Sequence, residues 1–221
     1  MSTKERPILF SGPMVRAILE GKKTQTRRVV SAKSSIHAEW PLTGLQSFGD
    51  GVASFHVQND VDSYTTERVN CSCGRGGDRL WVREIFCPEG DAGACWYRAG
   101  VPVYDAGEIV GWNDYPYRLG EFLDPPAKMT WKPSIFMPRW ASRIMLEVIG
   151  VRAERIQDIS YDDCCIETGS PLKWTGEGPE PYHRDMHAIF RDLWDGINAR
   201  RGYSWESNPF VWRIEFRKVD K

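Results

Sequence analysis

Apolar and polar residues alternate with a period of two at several places along the chain, a pattern typical of strands and not of helices. The alternation is clearest at 210–217, where one face is apolar and the other is largely charged. It occurs again at 53–57 and 144–148, and further strands are predicted at 64–69 and 80–84. These patterns predict a fold built on β-sheets.

Helical periodicity is limited to three segments. Ser11 and Ser160 are each predicted to cap a short helix, and a long helix is predicted from near Pro181 to Gly196. Strands and helices do not alternate along the chain as a doubly wound fold requires. The sequence therefore predicts an α+β fold, a small mixed β-barrel with a few packed helices, in a single domain over residues 1–221.

Two long segments lack clear periodicity. Residues 31–50 contain Ser, Pro and Gly and are predicted to form a loop. Residues 100–133 are dense in Gly, Pro, Asp and aromatic side chains, which indicates a long excursion from the core, and such excursions are often functional. The segment 131–143 interleaves two Trp, two Arg and one Lys with prolines that prevent a regular helix. It either packs its Trp side chains into the core or forms a surface that stacks bases and binds phosphates.

Composition places the chain among ordinary globular proteins. It is 41% hydrophobic and 27% charged, with a net charge of −1. No apolar run approaches the roughly 18 residues that would span a bilayer. The N-terminal segment Met1–Pro7 is not followed by the apolar region of a signal peptide. We therefore expect a cytoplasmic protein without a membrane partner, or one made by a virus and working in the host cytoplasm.

The six cysteines are expected to be reduced thiols in such a compartment. Four of them lie in one segment and raise the question of a zinc site: Cys71, Cys73, Cys87 and Cys95. Their CxC spacing differs from the CxxC of common zinc sites, and no His lies close by, so ordinary thiols are favoured. The sequence implies no metal and no cofactor.

A basic stretch at 21–28 concentrates four cations and two threonine hydroxyls in eight residues, although the whole chain is nearly neutral. It follows a predicted helix that ends at Gly21, a residue suited to the left-handed turn that closes a helix. Thr24 and Thr26 alternate as they would on one face of a strand. Such a run is by default a solvated cationic face. The alternative is a site that residues from elsewhere in the chain complete.

Four features occur along the chain in a fixed order: the basic stretch, a turn and strand at 77–82, an acidic short helix that ends at 167–169, and the terminal strand. In this order they resemble the ASCH domain, a PUA-like small β-barrel family linked to RNA and modified nucleosides. Within that family the chain is similar to the longer members associated with phages and prophages, which carry a segment much like 131–143. The resemblance covers about 7–30, 77–86 and 142–218, and leaves an insertion at about 87–133.

The resemblance implies an activity and a set of site residues. A small bacterial member of the family is an amidohydrolase that acts on N4-acetylcytidine with a catalytic Lys, Thr and Glu. Its stretch Gly-Arg-Lys-Thr-Ile-Thr-Ile-Arg aligns without gaps on 21–28, which puts the Lys at Lys23, the Thr at Thr26 and the following Arg at Arg28. The catalytic Glu, at the end of a short helix, maps to Glu167.

These residue types suit amide hydrolysis. Thr26 supplies the hydroxyl nucleophile or positions a water. Lys23 serves as the base only if it is deprotonated, and because the ordinary pKa of a lysine is about 10.4, burial or neighbouring cations must lower it. Glu167 orients Lys23 or relays a proton to the leaving amine. Arg28 holds a phosphate or the pyrimidine carbonyl.

The alternation of side chains along a strand limits how Lys23 and Thr26 can be combined in one site. Lys23 and Thr26 would face opposite sides of a regular strand, so they share a site only if Lys23 lies in the turn before it. Otherwise Lys23 and Arg28 simply form ion pairs. Lys22 and Arg27 are interpreted as contributing only a background field.

Four further residues are predicted to bind substrate. Trp81 lines the pocket, and Glu84, at the end of the same strand, is the fallback for the carboxylate at Glu167. Arg139 and Arg143 supply cations from the segment 131–143.

The predicted function is removal of an acyl group from N4-acylated cytidine or a related modified nucleoside or nucleotide. The alternative is a non-catalytic RNA- or DNA-binding module, or a ribonuclease, of phage or prophage origin. It would use the same cleft together with 131–143, and its partner would be single-stranded RNA or DNA. The oligomeric state is left open.

Overall fold

The computed structural model describes residues 3–31, 42–60, 63–89, 94–105, 108–113, 130–169 and 185–220. The described ranges contain twelve strands and three α-helices. The strands are β1 (Glu5–Leu9), β2 (Gln25–Val29), β3 (Leu42–Gly49), β4 (Val52–Asp60), β5 (Ser63–Asn70), β6 (Arg79–Arg83), β7 (Phe86–Glu89), β8 (Ala94–Tyr97), β9 (Val101–Asp105), β10 (Glu108–Asn113), β11 (Met145–Arg155) and β12 (Phe210–Val219). The helices are α1 (Gly12–Leu19), α2 (Tyr161–Thr168) and α3 (Met186–Asn198).

The chain divides into two compact units. The first comprises Met1–Lys23, Arg79–Glu147 and Lys218–Lys221, and the second comprises Thr24–Asp78 and Val148–Arg217.

The first unit is built on β1, β6 and the start of β11. β1 runs parallel to β6, and β11 runs antiparallel to β6 with Met145 opposite Trp81. Ile8 of β1 is buried between exposed neighbours, whereas Leu80, Trp81 and Val82 of β6 are all buried, so β6 is covered on both faces. α1 begins after Ser11, whose extended backbone suits an N-cap, and has a proline in its first turn.

Two hairpins, β7–β8 and β9–β10, follow β6 in the first unit. The β7–β8 hairpin contributes to a small apolar cluster with the segment that precedes β11. The cluster consists of Phe86, Cys95, Tyr97, Met137 and Ala141.

The second unit contains β2 paired antiparallel with β12, and β12 next to β11. The strands β3, β4 and β5 form an antiparallel meander. α2 is capped by Ser160, whose side chain accepts a hydrogen bond from the Asp163 N–H, and it ends at Gly169 in the left-handed conformation. α2 and α3 pack on an apolar core that includes Cys164, Phe190, Trp194 and Val211.

The predicted α+β class is confirmed, and β2, β4, β5, β6, β12, α1 and α2 lie close to their predicted positions. Every sheet in the described ranges has two edge strands, so these residues do not close into the expected small barrel. β1 and β2 are edges because β1 pairs only with β6 and β2 only with β12. The single domain with an insertion at about 87–133 stays a prediction.

Two local predictions were wrong. The loop expected at 31–50 contains β3, because Leu42–Gly49 pairs with β4 despite its lack of clear alternation. The excursion expected at 100–133 contains β9 and β10, which form a two-stranded sheet of their own, and this does not contradict the prediction. The long helix ends at Asn198 and not at Gly196, and its predicted start near Pro181 lies outside the described residues.

None of the helices in the described ranges is long and apolar enough to cross a membrane.

Candidate functional site

The basic stretch continues into the second unit as β2, whose side chains leave alternate faces of the strand. Gln25 and Arg27 lie on one face, and Thr26 and Arg28 on the other. Thr26 is opposite Ile214 of β12 and is buried. The predicted nucleophile therefore leaves the strand on the face opposite the Arg27 side chain and the Glu167 carboxylate that Arg27 contacts.

Arg27 is the centre of a buried ionic cluster. Its side chain is 1% exposed, and its Nη2 lies 2.7 Å from Glu154 Oε1 and 2.8 Å from Asp163 Oδ2. Nη1 donates to Glu167 Oε1 at 3.1 Å. Burial alone lowers the pKa of Arg27, but the carboxylates of Glu167, Glu154 and Asp163 outweigh burial and leave the pKa above its ordinary value. The charged guanidinium thus ties both β11 and α2 to β2.

Asp163 lies between two arginines that face each other across β2 and β12. Arg27 and Arg213 are directly opposite, a placement in which like charges destabilise a sheet. Asp163 accepts from Arg27, from Arg213 Nη2 at 3.2 Å and from Gln25 Nε2 at 2.8 Å. Burial raises the pKa of Asp163, but the hydrogen bonds from Gln25 and Arg27 and the two arginine charges leave it below its ordinary range. The carboxylate of Asp163 therefore offsets the repulsion.

Glu167 lies in the last turn of α2, where the helix dipole disfavours a negative charge. It is nevertheless buried, and it meets Arg27 across 140 positions of sequence. The polar side chains of Gln25 and Arg27 on this face of β2 are thus satisfied by carboxylates of β11 and α2.

Arg28 is half-buried on the other face of β2. Burial lowers its pKa, the charges of Cys73 and Glu167 oppose that effect, and the charge of Arg201 adds to it, so that the pKa is below its ordinary value. Glu167 therefore acts electrostatically on both adjacent arginines of β2, Arg27 by direct contact and Arg28 at longer range.

Lys23 belongs to the first unit and is buried. Its backbone N–H donates to the carbonyl of Ala17 at 3.1 Å, and the residue lies between the end of α1 and the start of β2. Lys23 is thus in the segment that precedes β2, whereas Thr26 belongs to the second unit, and the role of Lys23 beside Thr26 stays a prediction.

Glu84 and Arg143 are brought together in the first unit. Arg143 donates to Glu84 through Nε at 2.8 Å and Nη2 at 3.0 Å, and also to the carbonyl of Gly100 at 2.9 Å. Its guanidinium lies over the ring of Tyr97, 4.2 Å from the centroid. Burial raises the pKa of Glu84 and the Arg143 charge offsets this only in part. These two predicted substrate contacts hold each other inside the unit.

The remaining predicted substrate residues are also engaged within the first unit. Arg139 Nε lies 2.8 Å from Glu5 Oε2 in a partly exposed ion pair. Trp81 is buried, and the guanidinium of Arg83 covers its ring at 4.5 Å from the centroid.

All six cysteines are buried thiols, and none forms a disulfide bond. A hydrogen bond with Cys73, together with burial, raises the pKa of the Cys71 thiol, and burial raises the pKa of Cys95 to about 11. Thiols held in this way are poor nucleophiles and metal ligands. In the part of the chain that the structure describes, no three His, Cys, Asp or Glu side chains are grouped to hold a metal ion.

Sequence reasoning missed the central role of Arg27, which was interpreted as background charge, and the roles of Glu154 and Asp163. One signal was available in the sequence: side chains alternate along a strand, so Gln25 and Arg27 share one face of a strand that the sequence did predict. Long polar side chains on a buried face require polar partners from elsewhere in the chain.

No protein-family model matches the chain, and comparison with curated proteins and with solved structures gave no match.

Proposed function

We propose that this protein is a hydrolase that removes the acyl group from N4-acylated cytidine or a related modified nucleoside or nucleotide. The observation that carries the proposal is the buried carboxylate of Glu167 at the basic stretch, 3.1 Å from Arg27. The resemblance to the ASCH family requires a distant carboxylate of this kind, at the end of a short helix, for the basic stretch to be catalytic.

The location of Glu167 supports a role other than stabilising α2. A carboxylate in the last turn of a helix is unfavourable by about 0.3–1 kcal/mol, and burial adds a desolvation cost. Arg27 offsets these costs through a direct hydrogen bond. Residues that go against local preferences and are supported by a dedicated partner are most often found at functional sites.

The proposed chemistry is attack on the acyl carbonyl and departure of the cytosine amine. Thr26 supplies the hydroxyl or holds the attacking water, and Lys23, in the segment before β2, accepts the proton. Glu167 contacts the opposite face of β2 from Thr26 and acts through Lys23: it orients this base, or passes the proton from it to the leaving nitrogen, so that the C–N bond breaks to release a neutral amine. Where Thr26 itself attacks, water then hydrolyses the acyl–Thr26 ester and releases the carboxylic acid. Arg28, whose charge is partly desolvated, binds a phosphate or the pyrimidine carbonyl.

The proposal is tested by incubating purified protein with N4-acetylcytidine, its 5′-phosphate and longer N4-acyl analogues, with chromatographic detection of the deacylated product. Wild-type protein should turn over at least one of them. Glu167→Gln and Thr26→Val should each lower kcat by about 10²-fold or more, the usual range for loss of an acid–base group.

Asp192→Asn, which changes a largely exposed carboxylate in α3, is the matched control and should keep the wild-type rate. Absence of product with every substrate, or an unchanged rate in Glu167→Gln, would exclude this function.

A further inference from the structure

Two one-turn 3₁₀ helices in the first unit, at Ser134–Phe136 and Arg139–Ala141, present three large apolar side chains to solvent. Ile135 is 59% exposed, Phe136 is 69% exposed and Trp140 is 54% exposed. Single exposed apolar residues are normal on a protein surface, but three within six positions are a patch that marks an interaction site.

The backbone that carries this patch is held firmly in place. Between the exposed residues, Met137 and Ala141 are buried in the apolar cluster described above. The segment is further fixed by Arg83 Nη1 donating to the Ile135 carbonyl at 3.1 Å, by the Tyr97 hydroxyl donating to the Ala141 carbonyl at 2.8 Å, and by Ser142 Oγ donating to the Val82 carbonyl at 2.8 Å. A fixed backbone loses little conformational entropy on binding, so the apolar side chains are pre-organised for a partner.

The charge of the segments around these three residues indicates the chemical class of the partner. Segments 3–9, 79–84 and 131–147 contain seven cations and three carboxylates, a net charge of +4, in a chain whose total is −1. Within the unit, Arg139 contacts Glu5 of β1, and Arg83 of β6 contacts the segment itself, so the cationic strands and the patch adjoin. A local excess of this size attracts a polyanion.

We propose that this surface, formed by Ile135, Phe136, Arg139 and Trp140, binds single-stranded nucleic acid. Phe136 and Trp140 offer flat faces on which unpaired bases stack. Arg139 exchanges its partly exposed ion pair with Glu5 for a phosphate, and neighbouring cations contact further phosphates. A second copy of the chain is disfavoured as the occupant because two such cationic surfaces repel each other. The binding site lies wholly in the first unit, and its existence does not depend on the proposed hydrolase activity.

The binding mode predicts sequence tolerance and strong salt dependence. Stacking and phosphate contact do not read base edges, so oligo-dT and oligo-U should both bind. Affinity should fall as salt rises because binding releases counterions. A duplex cannot splay its bases and should bind more weakly than either single strand.

The test is fluorescence anisotropy of labelled 20-nucleotide oligo-dT, oligo-U and duplex DNA, titrated with the 221-residue protein between 50 and 300 mM salt. Trp140→Ala and Phe136→Ala should each raise Kd for single strands about tenfold, in line with loss of one stacked base. Arg139→Gln should raise Kd and reduce the salt slope by about 1. Phe136 and Trp140 are exposed, and Arg139 makes only a partly exposed ion pair with Glu5, so thermal unfolding should be little changed.

Ile197→Ala, which removes an equally exposed apolar side chain from α3 in the second unit, is the control and should leave Kd unchanged. Several results would overturn the proposal: no binding at 50 mM salt, tighter binding of duplex, or loss of affinity in the control as large as in Trp140→Ala. Concentration-dependent dimerisation that Trp140→Ala abolishes would assign the patch to a protein interface instead.

Discussion

Replacing Arg27 with Met removes the guanidinium that joins β2 to three carboxylates. Breaking a buried ion pair from one side costs about 3–5 kcal/mol, because the remaining charge is left desolvated. The cost should be smaller here, because Asp163 keeps its hydrogen bonds from Gln25 and Arg213 when Arg27 is removed. Glu154 likewise keeps its contact to another arginine, Arg152, which lies in β11. We therefore expect a loss at the lower end, about 3 kcal/mol.

The loss is measured by urea unfolding at pH 7, followed by tryptophan fluorescence and by circular dichroism so that departures from two-state behaviour are visible. For a chain of this length, about 3 kcal/mol corresponds to a fall in Tm of roughly 6–12 °C. Arg27→Lys keeps the charge but not the planar fork that contacts several carboxylates at once, so its loss should be intermediate.

Two comparisons make the reasoning about Arg27 refutable. Arg152→Met removes an arginine that is 49% exposed from the same Glu154, at 3.0 Å, and should cost less than about 1 kcal/mol. Combining Arg27→Met with Glu167→Gln should cost less than the sum of the single changes, because Gln leaves no buried charge unpaired. A loss below 1 kcal/mol for Arg27→Met, or strict additivity in the double variant, would show that the cluster does not hold the second unit together.

Two buried carboxylates should show opposite pH dependence. The pKa of Asp163 is lowered in the folded state, so its contribution to stability is present above about pH 4 and is lost as pH falls through the folded-state pKa. In chemical unfolding, Asp163→Asn should therefore be destabilised at pH 7, and its deficit relative to wild type should shrink progressively as pH falls below about 4. The pKa of Glu84 is raised by burial, so wild type loses stability relative to Glu84→Gln as pH rises from about 4.3 through the folded-state pKa. Thermal unfolding of Glu84→Gln and wild type between pH 4 and 8 measures this slope, and a difference that is constant or changes with the opposite sign would contradict it.

The amino-acid sequence by itself determined the features that depend on nearest neighbours. Ser160 and Gly169 mark the ends of α2 because a capping hydroxyl and a left-handed glycine act within one turn. β12 follows from alternation, which needs no knowledge of its partner strand. The placement of Lys23 in the segment that precedes β2 follows from Gly21, whose φ of 72° is accessible to glycine without strain.

The tertiary structure decided which side chains meet. Arg27 and Glu167 are 140 positions apart, and only the arrangement of α2 on the β2 and β12 pair brings them together. Likewise, no local pattern indicates that Arg143 is held by Glu84 while Trp140 remains exposed. Propensity and periodicity act over a few residues, whereas burial and ion pairing depend on the packing of distant elements. The sequence therefore located the basic stretch, and the fold selected the carboxylates that contact it.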